Sequence, residues 1–260
     1  MSTTANETLA PLVPDAADTA AFEQSWNAWQ QQRFDAASAP HGTAALAHTH
    51  WLSDQPAAYE GAPGLWAQHG ETLVATELPG GGQAQLRAGE QLEQDGVLLR
   101  AFDRDGSLAL RVIDPHAATR TSLRSIVAYA PSPAWQLRGV FTADEASVDI
   151  TAVDGHVSAG QLGGRIALEI AGEPVTLTVT RNAYGLNAVF ADGASGGENY
   201  RFRFLVVSEP DADGTVLVDF NRAYLPPCAF SDQYVCPLPL PGNRWTVPVL
   251  AGERRVERAA

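Results

Sequence analysis

The sequence predicts a mainly-β protein, an antiparallel sandwich or barrel-like body with an N-terminal amphipathic helix. From Leu65 onward, alternating apolar runs of about five to eight residues are separated by Gly- and Asp-containing turns. The clearest hairpin is VLLRAFDRDGSLALRV, in which Asp105 and Gly106 are the turn residues. No segment after residue 37 has the periodicity of a long helix. Short strands at this spacing are typical of sandwiches and barrels.

The helix is predicted to begin near Thr19, with Asp18 as its N-terminal cap, and to end before Pro40. Aromatic residues at a 4-3-4 spacing define one face of this helix. That face consists of Phe22, Trp26, Trp29 and Arg33. We expect it to pack against the β body rather than to contact a cofactor.

The chain is predicted to form one mainly-β domain over residues 18–260, preceded by a flexible tail at 1–17. Within that domain the strand patterns fall into two β sub-blocks, about 60–115 and 135–255. Residues 116–135 connect them, either as an interdomain link or as a crossover between sheets.

Charge and composition exclude several classes of function. The net charge of −13 opposes binding to nucleic acid or to an anionic membrane surface. All 17 basic residues are arginine, so the chain has no lysine for a Schiff base or a phosphate loop. We therefore expect no cofactor. The sequence shows neither a secretory signal nor a long apolar run, and the expected location is the cytoplasm, with its two cysteines as thiols.

Three histidines, at positions 41, 48 and 50, are candidate metal ligands. His48 and His50 point to the same face of an extended chain, and an H-x-H pair can chelate a metal. His41 lies nearby, but no third ligand follows at a recognisable spacing. The sequence therefore predicts no metal site, and hydrogen-bonded histidines beside Trp51 are the expected arrangement.

The stretch DGASGGENYRFRFLVV leads from a Gly-rich loop into a predicted strand. Alternation along the strand separates two faces: Tyr200, Phe202 and Phe204 on one, and Arg201, Arg203 and Leu205 on the other. The rings are expected in a core. The two arginines could bind a carboxylate or phosphate, or could form a solvated face paired with acidic residues.

The stretch DFNRAYLPPCAFSDQYVCPLPLPGNRW contains both cysteines and a cluster of prolines. Asp219, Asn221 and Arg222 lie at the end of a predicted strand, where polar groups can gather at a sheet edge. Cys228 and Cys236 are eight positions apart, unlike the CxxC of redox or zinc sites. The spacing therefore favours a proline-stiffened loop across a β core with packed thiols. A nucleophilic cysteine stays open as the alternative.

These residues resemble the signature of domain-of-unknown-function family 1684, whose typical form reads DFNRAYNPPCAF, then CPLPPPENRL, then AGE. The positions matching that family are Ser195, Gly196, Tyr200, Arg203, Asp219, Asn221, Arg222, Pro226, Pro227, Cys228, Phe230, Cys236, Pro237, Asn243, Arg244, Gly252 and Glu253. The chain departs from the pattern at Asn199, Leu225 and Leu240. The resemblance implies a fold and a set of residues, but no reaction.

Two functions remain open. The first is binding of a small anionic or polar ligand, with or without catalysis, because arginine, asparagine and tyrosine donors suit such a ligand. The ligand-binding residues are predicted to be Tyr200, Arg203, Asp219, Asn221, Arg222 and Cys228. An enzyme would use Asp219 or Glu198 as acid or base, or the Cys228 thiol. The second is a non-enzymatic structural or interaction module in which the same polar residues form a hydrogen-bonded clasp.

Overall fold

A computed structural model describes residues 16–183 and 185–259. Half of the residues lie in strands, and the chain has one long N-terminal helix. The paired strands of the described residues form four antiparallel sheets. The prediction of a mainly-β protein with an N-terminal helix is therefore confirmed. Most of the predicted tail, residues 1–15, lies outside the described residues.

Helix α1 (Ala16–Ser38) ends before Pro40, as predicted, but it begins earlier than expected. Asp18 lies inside the helix, so its prediction as the N-terminal cap was wrong. The alanines around Asp18 have high helix propensity, which explains the earlier start. The predicted face, including Trp26 and Trp29, is half-buried against the rest of the chain. No helix in the described ranges is long and apolar enough to cross a membrane.

The first eight strands form two four-stranded sheets with a shared core. Their bounds are β1 (Leu46–Trp51), β2 (Ala57–Tyr59), β3 (Ala62–His69), β4 (Thr72–Leu78), β5 (Gly82–Arg87), β6 (Gln91–Gln94), β7 (Val97–Arg104) and β8 (Ser107–Ile113). One sheet has the order β1-β8-β7-β6 and the other β2-β3-β4-β5. Trp66, Leu99 and Leu110 are fully buried between the two sheets.

The predicted hairpin is confirmed by strands β7 and β8, in which Arg104 pairs with Ser107. Asp105 and Gly106 have φ angles of 53° and 83°. Positive φ at both turn residues is the mark of a type I′ turn, whose twist matches that of the two strands. The local Asp-Gly sequence therefore sets the register of this sheet.

The remaining strands form a larger sheet and a separate two-stranded ribbon. After helix α2 (Ala118–Thr121) their bounds are β9 (Leu123–Ala128), β10 (Gln136–Ala143), β11 (Ser147–Thr151), β12 (Val157–Ile170), β13 (Glu173–Asn182), β14 (Gly185–Phe190), β15 (Arg203–Val207), β16 (Thr215–Asp219) and β17 (Glu253–Arg258). The seven-stranded sheet has the order β15-β14-β13-β12-β10-β16, with β11 paired to β12. It curves into a half-barrel. Phe190, Phe220 and Val249 are buried in its core.

The connector 116–135 has a structural role that the sequence did not indicate. It contains strand β9, which pairs with the C-terminal strand β17 to form the two-stranded ribbon. Helix α1 packs beside this ribbon, where Phe34 and Ile126 share a cluster with Phe230. Residues distant in sequence thus meet around the C-terminal signature.

The Pro-rich segment 220–250 lies along the half-barrel. Its backbone joins the sheet at Tyr224, which exchanges two hydrogen bonds of 2.8 Å with Phe204, and at isolated bridges from Pro237 and Arg244. Its short 3-10 turns begin at proline or follow a strand end, which suits the fixed φ of proline. The prediction of a proline-stiffened cover over a β core is confirmed.

Gly252 provides a stability test of this packing. Its φ is +75°, and a Cβ there would lie 2.5 Å from the carbonyl oxygen of Ala223. We expect Gly252→Ala to destabilise the fold by roughly 3–5 kcal/mol, because backbone strain and a steric clash combine. Gly89, with φ +83° and nothing within 4 Å of a Cβ, is the matched control. Gly89→Ala should cost only about 1–2 kcal/mol in urea unfolding. Equal costs would contradict the packing described.

Candidate functional site

Arg203, at the start of strand β15, is fully buried. Its Nη2 lies 2.5 Å from Oδ2 of Asp192, which is also buried, and donates to the Val249 carbonyl at 2.9 Å. Its Nη1 donates to the carbonyl of Ala251. A charged pair with additional hydrogen bonds is the form in which buried charges are tolerated. The pair therefore attaches the C-terminal segment to the half-barrel.

Arg201 lies in a different environment from Arg203, although alternation placed both on one face. Strand β15 begins only at Arg203, and Arg201 precedes it with an exposed side chain. The opposite face of this stretch carries the predicted aromatic residues, with ring centroids of Phe202 and Tyr200 5.7 Å apart. The buried face of β15 is the one that carries Arg203, Leu205 and Val207, whereas Val206 on the other face is exposed. Arg203 therefore lies on the core face of the strand, a face that the pattern marked as polar.

Glu253, at the start of strand β17, is fully buried and joins three parts of the chain. Its carboxylate accepts hydrogen bonds from Arg33 of helix α1, at 2.8 and 3.0 Å, and from the backbone N–H of Leu225 at 2.7 Å. The Arg33 guanidinium also lies 4.8 Å from the centre of the Tyr224 ring. Residue 225 contributes a backbone donor to this contact, so leucine in place of the family asparagine leaves the contact intact.

Asn221 is fully buried and connects the signature to the connector. Its Nδ2 donates to the Ser132 carbonyl at 2.9 Å, and its Oδ1 accepts from the Ser132 N–H at 2.9 Å. Asp219 accepts from the same amide at 2.8 Å, and Trp26 of helix α1 donates to the Asn221 carbonyl at 3.0 Å. Through its side chain and its carbonyl, Asn221 thus joins the connector and helix α1 to the signature.

We call these buried contacts the clasp. The clasp consists of the Arg203–Asp192 pair, the Arg33–Glu253 pair, and Asn221 with its partners. Among the predicted ligand-binding residues, Arg203 and Asn221 belong to it and have no exposed surface. Asp219 supports Asn221, and Arg222 lies at its rim, with its guanidinium 5.2 Å from the Trp29 ring centre.

The two cysteines lie side by side as free, buried thiols. The backbone N–H of Cys228 donates to Sγ of Cys236 at 3.3 Å. The Tyr200 hydroxyl lies 3.0 Å from the Cys228 carbonyl oxygen and 3.5 Å from Cys228 Sγ. Arg201 places its guanidinium 5.7 Å from the centre of the Tyr200 ring. We call Cys228, Cys236, Tyr200 and Arg201 the thiol site.

The segment between the thiols is fixed by strand β1. Ser231 donates to a main-chain carbonyl of β1 at 2.7 Å, and Thr49 of β1 donates two hydrogen bonds to Gln233, at 3.0 and 2.9 Å. The Cys236 carbonyl accepts from Val153 at 2.9 Å. These contacts keep the two cysteines adjacent without a covalent link.

The environment of the thiol site lowers the pKa of Cys228 and raises the pKa values of Cys236 and Tyr200. A hydrogen bond from the Cys236 thiol, with further help from Tyr200 and Arg201, lowers the pKa of Cys228 to about 6. The same thiol contact raises the pKa of Cys236. Burial, and then the contact with Cys228, raises the pKa of Tyr200 to about 12. Cys228 is therefore the thiolate at neutral pH, and its neighbours are proton donors.

Arg111 is a neighbour of the thiol site that the sequence did not indicate. Its guanidinium is 3.6 Å from the Phe102 ring centre and 5.3 Å from that of Tyr234. Burial lowers the pKa of Arg111, while Tyr234 and Cys236 oppose that change. A cation therefore approaches the thiols from the first two-sheet unit as well. Arg111 and Tyr234 are more than 100 residues apart in the sequence, and no motif links them, so their contact could not be predicted.

An open cleft of about 330 Å³ lies between the first two-sheet unit and the half-barrel. Phe102 and Arg104 line it from the first two-sheet unit and His156 from the half-barrel side, and Val235 and Pro237 of the Pro-rich segment also line it. Cys236, between the last two, is buried against Cys228 instead. The cleft therefore borders the thiol site without opening directly onto a sulfur.

His48 and His50 share one face, as predicted, with their rings stacked at 5.3 Å. The Nε2 of His50 lies 2.9 Å from the Glu60 carbonyl, and that of His41 lies 2.9 Å from the Gly96 carbonyl. Within residues 16–183 and 185–259, no group of three or more His, Cys, Asp or Glu side chains could hold a metal ion.

Comparison with known proteins is consistent with the signature. A family model described as "Protein of unknown function (DUF1684)" matches residues 121–254, just over half of the chain. A solution NMR structure of an uncharacterized protein from Haloarcula marismortui is 27% identical, with a TM-score of 0.42. That match covers 50% of this chain and 76% of the other. No curated protein matches the chain.

Replacement of Asn221 tests the clasp. Asn221→Ala removes three side-chain hydrogen bonds and leaves the half-buried Ser132 N–H without its side-chain acceptor. We expect a loss of about 3 kcal/mol and a melting temperature lower by roughly 6–12 °C. Arg222→Ala removes a rim contact and should cost about 1 kcal/mol or less. Equal melting temperatures for the two variants would contradict the clasp.

The acidity of Cys228 predicts a pH dependence of alkylation. Because thiolate is the reactive form, the rate of Cys228 modification by iodoacetamide should rise with pH, with its midpoint at about 6, and level off above it. Peptide mass analysis measures this rate at Cys228 alone. Cys236→Ala removes the largest cause of the low pKa and should move the midpoint upward. A wild-type midpoint near the ordinary cysteine value of about 8.5 would contradict the described site.

Proposed function

The chain belongs to the DUF1684 family of proteins of unknown function. We propose that its signature binds a small anionic or polar molecule beside Cys228. Arg201 and Tyr200 are the proposed anchors of that molecule, and the Cys228 thiolate is the group that it meets. The observation that carries the proposal is the convergence of a thiolate, a phenol and an exposed guanidinium at one place in the signature.

Arg201 supplies the anion preference in this proposal. It has no carboxylate partner among the described residues, and its side chain is exposed. A guanidinium presents a planar set of donors that matches a carboxylate or phosphate. The contact with the rings of Tyr200 and Phe202, at 5.7 and 5.3 Å, limits its motion. A pre-positioned donor reduces the entropy lost on binding.

The alternative function, a structural clasp, is supported by the burial of Arg203 and Asn221. We propose that the signature combines both roles in different residues. Arg203, Asn221 and Asp219 maintain the fold, whereas Tyr200, Arg201 and Cys228 contact the ligand. The free state of both thiols supports our placement of this function in the cytoplasm.

A thermal-shift series tests the proposed binding. Small carboxylates, phosphates and uncharged polar compounds are added to the full chain, and the melting temperature is recorded. An anionic ligand at a hundredfold excess over its Kd should stabilise the fold by about 2.7 kcal/mol, a shift of several degrees. Arg201→Gln should abolish the shift while leaving the unliganded melting temperature nearly unchanged, because the side chain is exposed.

Arg255→Gln is the matched control, since Arg255 is an exposed arginine of strand β17 and the substitution removes the same charge. It should retain the full ligand-induced shift. A panel in which no compound stabilises the wild-type chain would overturn the proposal. So would a shift of equal size in the Arg201→Gln variant.

A further inference from the structure

We propose that Cys228 and Cys236 form a redox-active dithiol that reduces small, carboxylate-bearing disulfides. In this reaction Cys228 is the attacking thiolate and Cys236 the resolving thiol. The inference rests on the proposed site beside Cys228 and gives that site a substrate class and a reaction.

The first argument is the adjacency of the two sulfurs in the reduced protein. Cys236 Sγ accepts a hydrogen bond from the Cys228 backbone at 3.3 Å, so this sulfur lies against the main chain of its partner. Both cysteines also lie in one buried cluster with Phe202. Disulfide formation then brings the two sulfurs to a bonded distance of about 2.05 Å.

The second argument is that the contacts fixing the loop do not involve the sulfurs. Ser231, Gln233 and the Cys236 carbonyl are bound to β1 and to Val153 by hydrogen bonds. The loop therefore keeps its position whether the thiols are free or joined. A pair that is held together in the free state can cycle between dithiol and disulfide without refolding.

The third argument is the division of roles between the sulfurs. Thiol–disulfide exchange needs a thiolate to attack and a second thiol to resolve the mixed disulfide. Cys228 has proton donors on two sides, Tyr200 and Cys236, and the Arg201 cation nearby. Both cysteines are buried, and the exposed Arg201 lies beside Cys228. The better stabilised sulfur, Cys228, is therefore the one that attacks the disulfide.

The reaction balances in two steps. The Cys228 thiolate attacks one sulfur of the disulfide R–S–S–R, the S–S bond breaks, and RS⁻ leaves and takes a proton from solvent. The Cys236 sulfur then attacks Cys228 Sγ in the mixed disulfide. The second RS⁻ leaves with the proton of Cys236. Two protein thiols are oxidised to one disulfide, and R–S–S–R is reduced to two R–SH.

Arg201 determines the substrate class. Its exposed guanidinium beside Cys228 favours a disulfide whose R groups carry carboxylates over an uncharged one. Oxidised glutathione and bis(2-hydroxyethyl) disulfide are suitable charged and uncharged probes. A faster reaction with oxidised glutathione than with the uncharged probe would indicate the anion site. Oxidation of the protein by both probes would indicate the dithiol.

The experiment treats the reduced, folded chain with each probe and follows its intact mass and free thiols. We expect the wild-type chain to lose the mass of two hydrogen atoms and both free thiols, with circular dichroism unchanged. Cys236→Ser should stop at a mixed disulfide on Cys228, and Cys228→Ser should form neither product. Persistent mixed disulfide in the wild type, or reaction only after unfolding, would overturn the inference.

The Arg201→Gln variant separates the inference from the proposed function. Loss of the Arg201 cation raises the pKa of Cys228 and therefore slows the reaction with both probes. If both hold, this variant slows with oxidised glutathione several-fold more than with bis(2-hydroxyethyl) disulfide. If the dithiol is correct and the anion site is not, the substitution changes the two rates by the same factor. If anions bind and no disulfide forms, the thermal shift persists and the mass stays constant, which refutes the dithiol alone.

Discussion

The buried guanidinium of Arg203 is the constraint on which the C-terminal half depends. A charge with no exposed surface must find its partners inside the protein, and Asp192 and the carbonyls of Val249 and Ala251 are those partners. Because two of these partners are carbonyls of the C-terminal segment, their hydrogen bonds to Arg203 hold that segment across the core face of the half-barrel. Breaking such a pair by removing one partner typically costs about 3–5 kcal/mol, so the arrangement is strongly specified.

The other contacts of the clasp depend on this placement of the C-terminal segment, and they join residues that are distant in sequence. Once the C-terminal segment is placed, Glu253 meets Arg33 of helix α1 and the backbone of Leu225, and β17 pairs with β9. Asn221 then joins the connector and the helix to the same segment. The Pro-rich loop leaves this framework in a fixed direction, which brings Cys228 beside Cys236. The clasp therefore positions the thiol site.

Features encoded locally could be predicted from the sequence, and features that depend on distant partners could not. The helix end before Pro40, the Asp105-Gly106 turn and the proline-stiffened cover each depend on a few adjacent residues. The burial of Arg203 was not predicted, because the core face of β15 begins with this charged residue, and its buried partner Asp192 comes from another segment of the chain. The adjacency of the two thiols could not be predicted either. The loop that brings them together is held by hydrogen bonds to strand β1, which is distant in the sequence.

Native-state hydrogen exchange of two backbone amides tests the central claim most directly. Ser132 and Leu225 donate their N–H groups to side chains of the clasp, the Asn221 amide and the Glu253 carboxylate, outside any sheet ladder. If the clasp is part of the cooperative core, both amides exchange only through global unfolding, as slowly as the central amides of β12 and β13. Exchange of either amide at the rate of an exposed loop would show that the signature is mobile, and would contradict the account.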